Sequence, residues 1–101
     1  MLKITLENFK EIVLNSKKPV LVKFHALWCS SCQTLTKVTK GIENEIKDLA
    51  VLAEVDIDEE KQLAKLLNIM SVPTIVVFNN GKIVNHHVGL LTKRELLSLI
   101  P

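Results

Sequence analysis

With 101 residues, 48% of them hydrophobic, the chain is long enough to bury a core as one domain, 1–101, without disulfide staples. A formal charge of +2 on scattered lysines is too small for a nucleic-acid partner, and no apolar run approaches membrane-spanning length. Met1-Leu2-Lys3-Ile4 alternates as a strand rather than a secretory leader. A cytoplasmic protein is expected, and a lone cysteine pair in reducing cytosol is more often catalytic than structural.

The predicted elements follow a regular alternation. Residues Lys3 to Leu6 read as a short strand, followed by a helix carrying Phe9, Ile12 and Val13 inward. Lys17-Lys18 is a solvated turn, and Pro19 marks the break before Val20 to Leu27, a run rich in β-branched and aromatic residues. From Cys29 to about Lys47 or Asp48 runs a helix that Gly41 weakens, with Leu35, Val38, Ile42, Ile46 and Leu49 recurring at the three- and four-residue steps of one helix face. Leu49 to Ile57 reads as a buried strand and Glu60 to Leu67 as a helix.

Thr74 to Phe78 is an apolar strand, and Asn79-Asn80-Gly81 signals a hairpin returning along Ile83 to Val88. Thr92-Lys93-Arg94-Glu95 is a capping box that opens a final helix presenting Leu96, Leu97 and Ile100. The order β-α-β-α-β-α-β-β-α implies parallel crossovers closed by an antiparallel hairpin. An α/β domain with a mixed central sheet of four to five strands, flanked by helices on both faces, is expected.

Both cysteines fall in Trp28-Cys29-Ser30-Ser31-Cys32, where the second strand gives way to the long helix. Two cysteines three apart at a helix start can close a small disulfide ring. The positive end of the helix dipole favours a thiolate at the first of them. Dithiol–disulfide exchange is the chemistry this arrangement suits. Structural zinc needs more ligands than the chain offers: no second cysteine pair exists, His25 lies in a strand, and adjacent His86 and His87 point to opposite faces. An iron–sulfur cluster would need ligands from a second chain. Asp56, Asp58, Glu59 and Glu60 read as a strand end and first helical turn rather than a metal site.

With Trp28, Cys29 and Cys32, Val72-Pro73-Thr74, Asn80-Gly81-Lys82 and Gly89 in place, the chain resembles the thioredoxin family along essentially its whole length. The resemblance implies that Cys29 is the nucleophile and Cys32 the resolving thiol. It implies a cis Pro73 opposite the disulfide, and a groove formed with Ser71, Val72, Trp28 and Gly89 in which substrate backbone pairs like an added strand. It also implies that Asp58 bonds the Trp28 indole. No metal or organic cofactor is needed beyond the redox-active disulfide, with electrons from a thioredoxin reductase or equivalent donor.

The chain departs from the family pattern at several positions. Ser30-Ser31 replaces Gly-Pro between the cysteines, adding donors that favour the Cys29 thiolate. Lys23 stands where the family keeps a buried aspartate, and Glu54 where it keeps the partner lysine, so a charge-swapped pair is expected. The alternative has Lys23 snorkelling to water and Glu54 facing solvent. Protonated Lys23 favours a Cys32 thiolate but cannot accept its proton; Glu54 is the expected acceptor, directly or through water. His25 replaces an aromatic and tunes the thiols or simply fills a pocket. Lys37 replaces a helix-kinking proline.

The expected function is thiol–disulfide exchange on protein substrates by a monomer, with a more oxidising couple than ordinary thioredoxin. The alternative from another class is a non-catalytic adaptor that holds a partner in the Pro73 groove.

Overall fold

Five of the six residues of Val20–His25 are buried, the pattern of a strand covered on both faces, and this strand runs through the centre of the sheet. The computed structural model describes residues 1–101. Its strands are β1 (Leu2–Lys3), β2 (Val20–His25), β3 (Val51–Asp56), β4 (Thr74–Asn79) and β5 (Lys82–Val88), in the order β1-β3-β2-β4-β5. The pairs β1/β3 and β2/β3 are parallel; β2/β4 and β4/β5 are antiparallel. Helices α1 (Ser30–Ile46), α2 (Lys61–Leu66) and α3 (Lys93–Ser98) complete the expected mixed α/β architecture.

Strand residues alternate between two cores. On one face Val20, Val22, Phe24, Ala53, Val55, Val76 and Phe78 pack with Val13 and Leu63, beneath the Lys10–Leu14 segment and α2. On the other, Leu21, Leu52, Ile75 and Val77 pack with Leu35, Ile42 and Ile46 of α1 and Leu96 of α3. Lys23 and Glu54 stand in register on β2 and β3, in line with Leu21 and Leu52 on this second face. The parity of the strands therefore brings two charges beneath α1.

The boundaries differ from the sequence expectation in instructive ways. β1 ends at Lys3 because Thr5 and Asn8 exchange side-chain-to-backbone hydrogen bonds (2.8 and 3.2 Å) that turn the chain. The first predicted helix is a π-helical turn, Lys10–Leu14, in which Asn15 N–H donates to the Lys10 carbonyl at 2.9 Å. Leu49 is exposed in the turn after α1 rather than starting β3. The hairpin has a two-residue loop, with Asn80 at φ 54° and Gly81 at φ 77°. A Cβ on Gly81 would also crowd the Leu14 carbonyl oxygen, at a separation of only 3.1 Å. The Thr92–Glu95 capping box forms as expected. α1 runs unbroken through Lys37 and Gly41.

Candidate active site

β2 delivers the chain to the C-terminal edge of the sheet, and Cys29 caps α1 there with extended dihedrals (φ −94°, ψ 109°). An N-cap side chain faces the orphan N–H groups of the first turn. Here the Cys29 sulfur accepts the Cys32 N–H at 3.2 Å. The two cysteines are joined as a disulfide with Cα atoms 5.2 Å apart, both largely buried beside Ala26, Ile57 and Val72.

The two serines between them are not equivalent. Ser31 Oγ lies 3.4 Å from Cys29 Sγ, whereas Ser30 is exposed and its carbonyl accepts from Thr34 Oγ1 at 3.5 Å. Only the Ser31 hydroxyl is near the sulfur.

Across the disulfide, the Val72–Pro73 peptide is cis, and the Val72 carbonyl oxygen lies 3.8 Å from Cys29 Sγ. Thr74 Oγ1 donates to the Ser71 carbonyl at 2.7 Å, and Gly89 N–H donates to the Pro73 carbonyl at 2.8 Å. Gly89 makes that bond at φ 94°, a conformation that suits glycine. The loop is thus pinned from both sides. Trp28 is 70% exposed, and its Nε1 donates to Asp58 Oδ2 at 2.9 Å, so the indole forms a fixed apolar lip. Asp56 holds the adjoining turn, its Oδ1 accepting the N–H groups of Asp58 (2.8 Å) and Glu59 (3.4 Å). The acidic cluster accordingly serves as a strand end.

Behind Cys32 the sheet carries a different set of groups. Lys23 is only 2% exposed, so it does not snorkel. Its ammonium donates to Thr36 Oγ1 and lies 3.7 Å from Glu54 Oε2, and His25 Nε2 lies 3.9 Å from the same carboxylate oxygen. Burial pushes the Lys23 pKa below its usual 10.5, and the attraction of Glu54 offsets part of that shift. Lys23, Glu54 and His25 are therefore brought together, as a chain rather than a tight pair. A cleft of about 200 Å³ opens here, lined by His25, Cys32, Gln33, Thr36, Lys40 and Glu54 among others. His86 and His87 lie away from it: His86 borders a groove with Thr74 and Val76, while the His87 ring meets the Leu90 carbonyl at 3.0 Å.

Thr36 is not among the site residues that the sequence singles out. Its signal is spacing: four residues after Cys32, it lies one helical turn on, over the strand that carries Lys23.

The thioredoxin family model matches residues 1–101. Among similar proteins, a thioredoxin of Rickettsia felis is 38% identical over 97 residues, covering 96% of this chain and 92% of that protein. A thioredoxin of Buchnera aphidicola is 35% identical over 96 residues, covering 95% and 89%. A bifunctional thioredoxin reductase/thioredoxin of Mycobacterium leprae is 34% identical over 96 residues, covering 95% of this chain but 21% of that longer protein. Whole-length agreement with the family, together with a cysteine pair capping a helix opposite a cis-proline, leads to one conclusion: the chain belongs to the thioredoxin family of protein-disulfide oxidoreductases.

Proposed function

We propose that the protein exchanges disulfides with other proteins through a Cys29 nucleophile and a Cys32 resolving thiol, with Glu54 as the proton acceptor. The observation that carries the reading is the Cys29 sulfur held at the start of α1, hydrogen-bonded by Cys32 N–H and facing the Val72 carbonyl. The Cys29 thiolate attacks one sulfur of a substrate disulfide, forming a mixed disulfide and releasing the other substrate sulfur as a thiolate. The Cys32 thiol passes its proton to the Glu54 carboxylate, directly or through water in the cleft. Its thiolate then attacks Cys29 Sγ, releases the second substrate sulfur and closes the Cys29–Cys32 disulfide. Two electrons have passed to the substrate, and a thioredoxin reductase or equivalent donor returns them.

Substrate backbone docks along Ser71, Val72 and Pro73 as an added strand, between the Trp28 lip and Gly89. Asp58 orients Trp28, and His25 fills the pocket beside Glu54, 3.9 Å from its carboxylate. The couple is more oxidising than ordinary thioredoxin, because the Ser31 hydroxyl adds a donor to the Cys29 thiolate of the reduced form. Ser30 assists only as a helix-starting residue. Glu54 lies close enough to offset the Lys23 charge, so Ser31 carries most of this effect. The protein works as a monomeric single domain in the cytoplasm. No helix is long and apolar enough to cross a membrane.

The test is reduction of insulin disulfides driven by dithiothreitol. Cys29→Ser should abolish the acceleration, and Cys32→Ser should trap mixed disulfides. No acceleration of insulin reduction by the wild-type protein would contradict the reading and favour a binding adaptor.

A further inference from the structure

Beneath Cys32, Lys23 makes its closer contact with the Thr36 hydroxyl, and its opposite charge, Glu54, stands 3.7 Å away. We propose that Thr36 is a positioning residue: it holds the Lys23 ammonium off Glu54, leaving that carboxylate free to take the Cys32 proton. The inference rests on Glu54 being the proton acceptor.

The donors and acceptors fix the direction of each contact. A threonine hydroxyl has one proton and two lone pairs. Thr36 Oγ1 donates that proton to the Cys32 carbonyl at 3.0 Å, the back-bond of a helical threonine to the residue four before it. Its lone pairs are then directed to Lys23, whose ammonium donates to it. An ammonium that is 2% exposed needs an acceptor, and Thr36 supplies it. The result is a Lys23–Glu54 separation of 3.7 Å, an ion pair longer than a well-formed hydrogen bond.

The carboxylate, 29% exposed, faces the same cleft that Cys32 lines. Thr36 thus ties the cation to the backbone of the resolving cysteine while the base stays in the cleft. Valine at this position keeps the shape and removes the acceptor. The buried ammonium then has only Glu54 within reach and moves onto the oxygen that receives the Cys32 proton. The other charged groups facing Glu54 are His25 on β2, Lys3 in register on β1, Asp56 on its own strand, Asp58 and Glu59 in the turn that follows it, and Lys40 on α1. None of these is altered by the substitution, so a changed pH profile reports the Lys23–Glu54 contact.

The experiment is stopped-flow reaction of the reduced protein with Ellman's reagent across pH. Cys29 attack releases one thionitrobenzoate and Cys32 attack releases the second, so the two steps are read separately. Thr36→Val should leave the first phase unchanged, slow the second by about tenfold and alter its pH dependence, with Thr36→Ser restoring both. Adding Thr36→Val to Glu54→Gln should slow the second phase no further. A normal second phase in Thr36→Val beside a slow one in Glu54→Gln would overturn the Thr36 role alone. Additive slowing would also overturn it, since Thr36 would then act independently of Glu54. A normal second phase in Glu54→Gln would overturn the Glu54 reading and this inference with it.

Discussion

The two sides of the Cys29–Cys32 disulfide are built by different means. The attacking side is made of backbone: the Cys32 N–H, the Val72 carbonyl, the cis Val72–Pro73 peptide and the Gly89 N–H, with Trp28 fixed by Asp58. The resolving side is made of charged side chains: Lys23, Glu54 and His25, linked to α1 through Thr36. Backbone geometry tolerates changes of side chain, so the attacking side keeps the family arrangement with Ser30-Ser31 between the cysteines. Side-chain chemistry can be exchanged as a set, and on the proposed reading Lys23 and Glu54 are such a set, with both charges exchanged against the family pattern that the sequence resembles. On the proposed mechanism, the two half-reactions therefore have separable structural supports.

Glu54→Gln should separate the sides most sharply. Loss of a positioned base typically slows a proton transfer by ~100-fold or more, and about tenfold to 100-fold is expected here because water reaches the cleft. Only resolution should slow; equal slowing of both phases in the Ellman reaction would show that the supports are shared.

Lys23→Met tests whether the buried cation stabilises the fold or burdens it. The lowered Lys23 pKa means that the folded protein holds this ammonium at a net cost, and Glu54, 29% exposed, keeps its access to water when the partner is removed, so a gain in stability in urea unfolding is expected at neutral pH. The Lys23 pKa is lowered in the folded protein. Between that value and the unfolded 10.5 the unfolded chain therefore binds more protons, and wild-type stability from this group rises with pH. The advantage of Lys23→Met should be greatest below the folded pKa and shrink as pH approaches 10.5. A loss of stability at neutral pH would show that the ion pair and the Thr36 bond outweigh desolvation.

Ser31→Ala gives the smallest effect and touches only the attacking side. One hydrogen bond contributes roughly 1 kcal/mol, so the reduction potential should fall by about 20 mV. Ser30→Ala should leave it unchanged, because that hydroxyl is not near the sulfur.

The same division governs what can be read from the sequence. Trp28 to Cys32, the Asn80-Gly81 turn and the Thr92–Glu95 capping box are signals carried by a few adjacent residues, and each forms as expected. The pairing of Lys23 with Glu54 depends on the register of two strands separated by α1, and it is visible in the sequence only through the family resemblance. Thr36 is harder to see, because a threonine in a helix acquires its role only from the strand beneath it. The first helix fails for a related reason. Phe9, Ile12 and Val13 have helical spacing, but spacing does not distinguish an α-helix from a single π-helical turn. Which of two adjacent serines faces a sulfur is likewise decided by the cap geometry of Cys29, not by composition.

If the rebuilt surroundings of the cysteine pair stabilise the dithiol, the reduction potential of Cys29–Cys32 must register it. Equilibration in defined glutathione buffers, alkylation and counting of the labels by mass measure that potential directly. A value clearly above the roughly −270 mV typical of thioredoxin is predicted. A value at or below that figure would contradict the claim, leaving Ser31 and the Lys23–Glu54 exchange without effect on the redox couple.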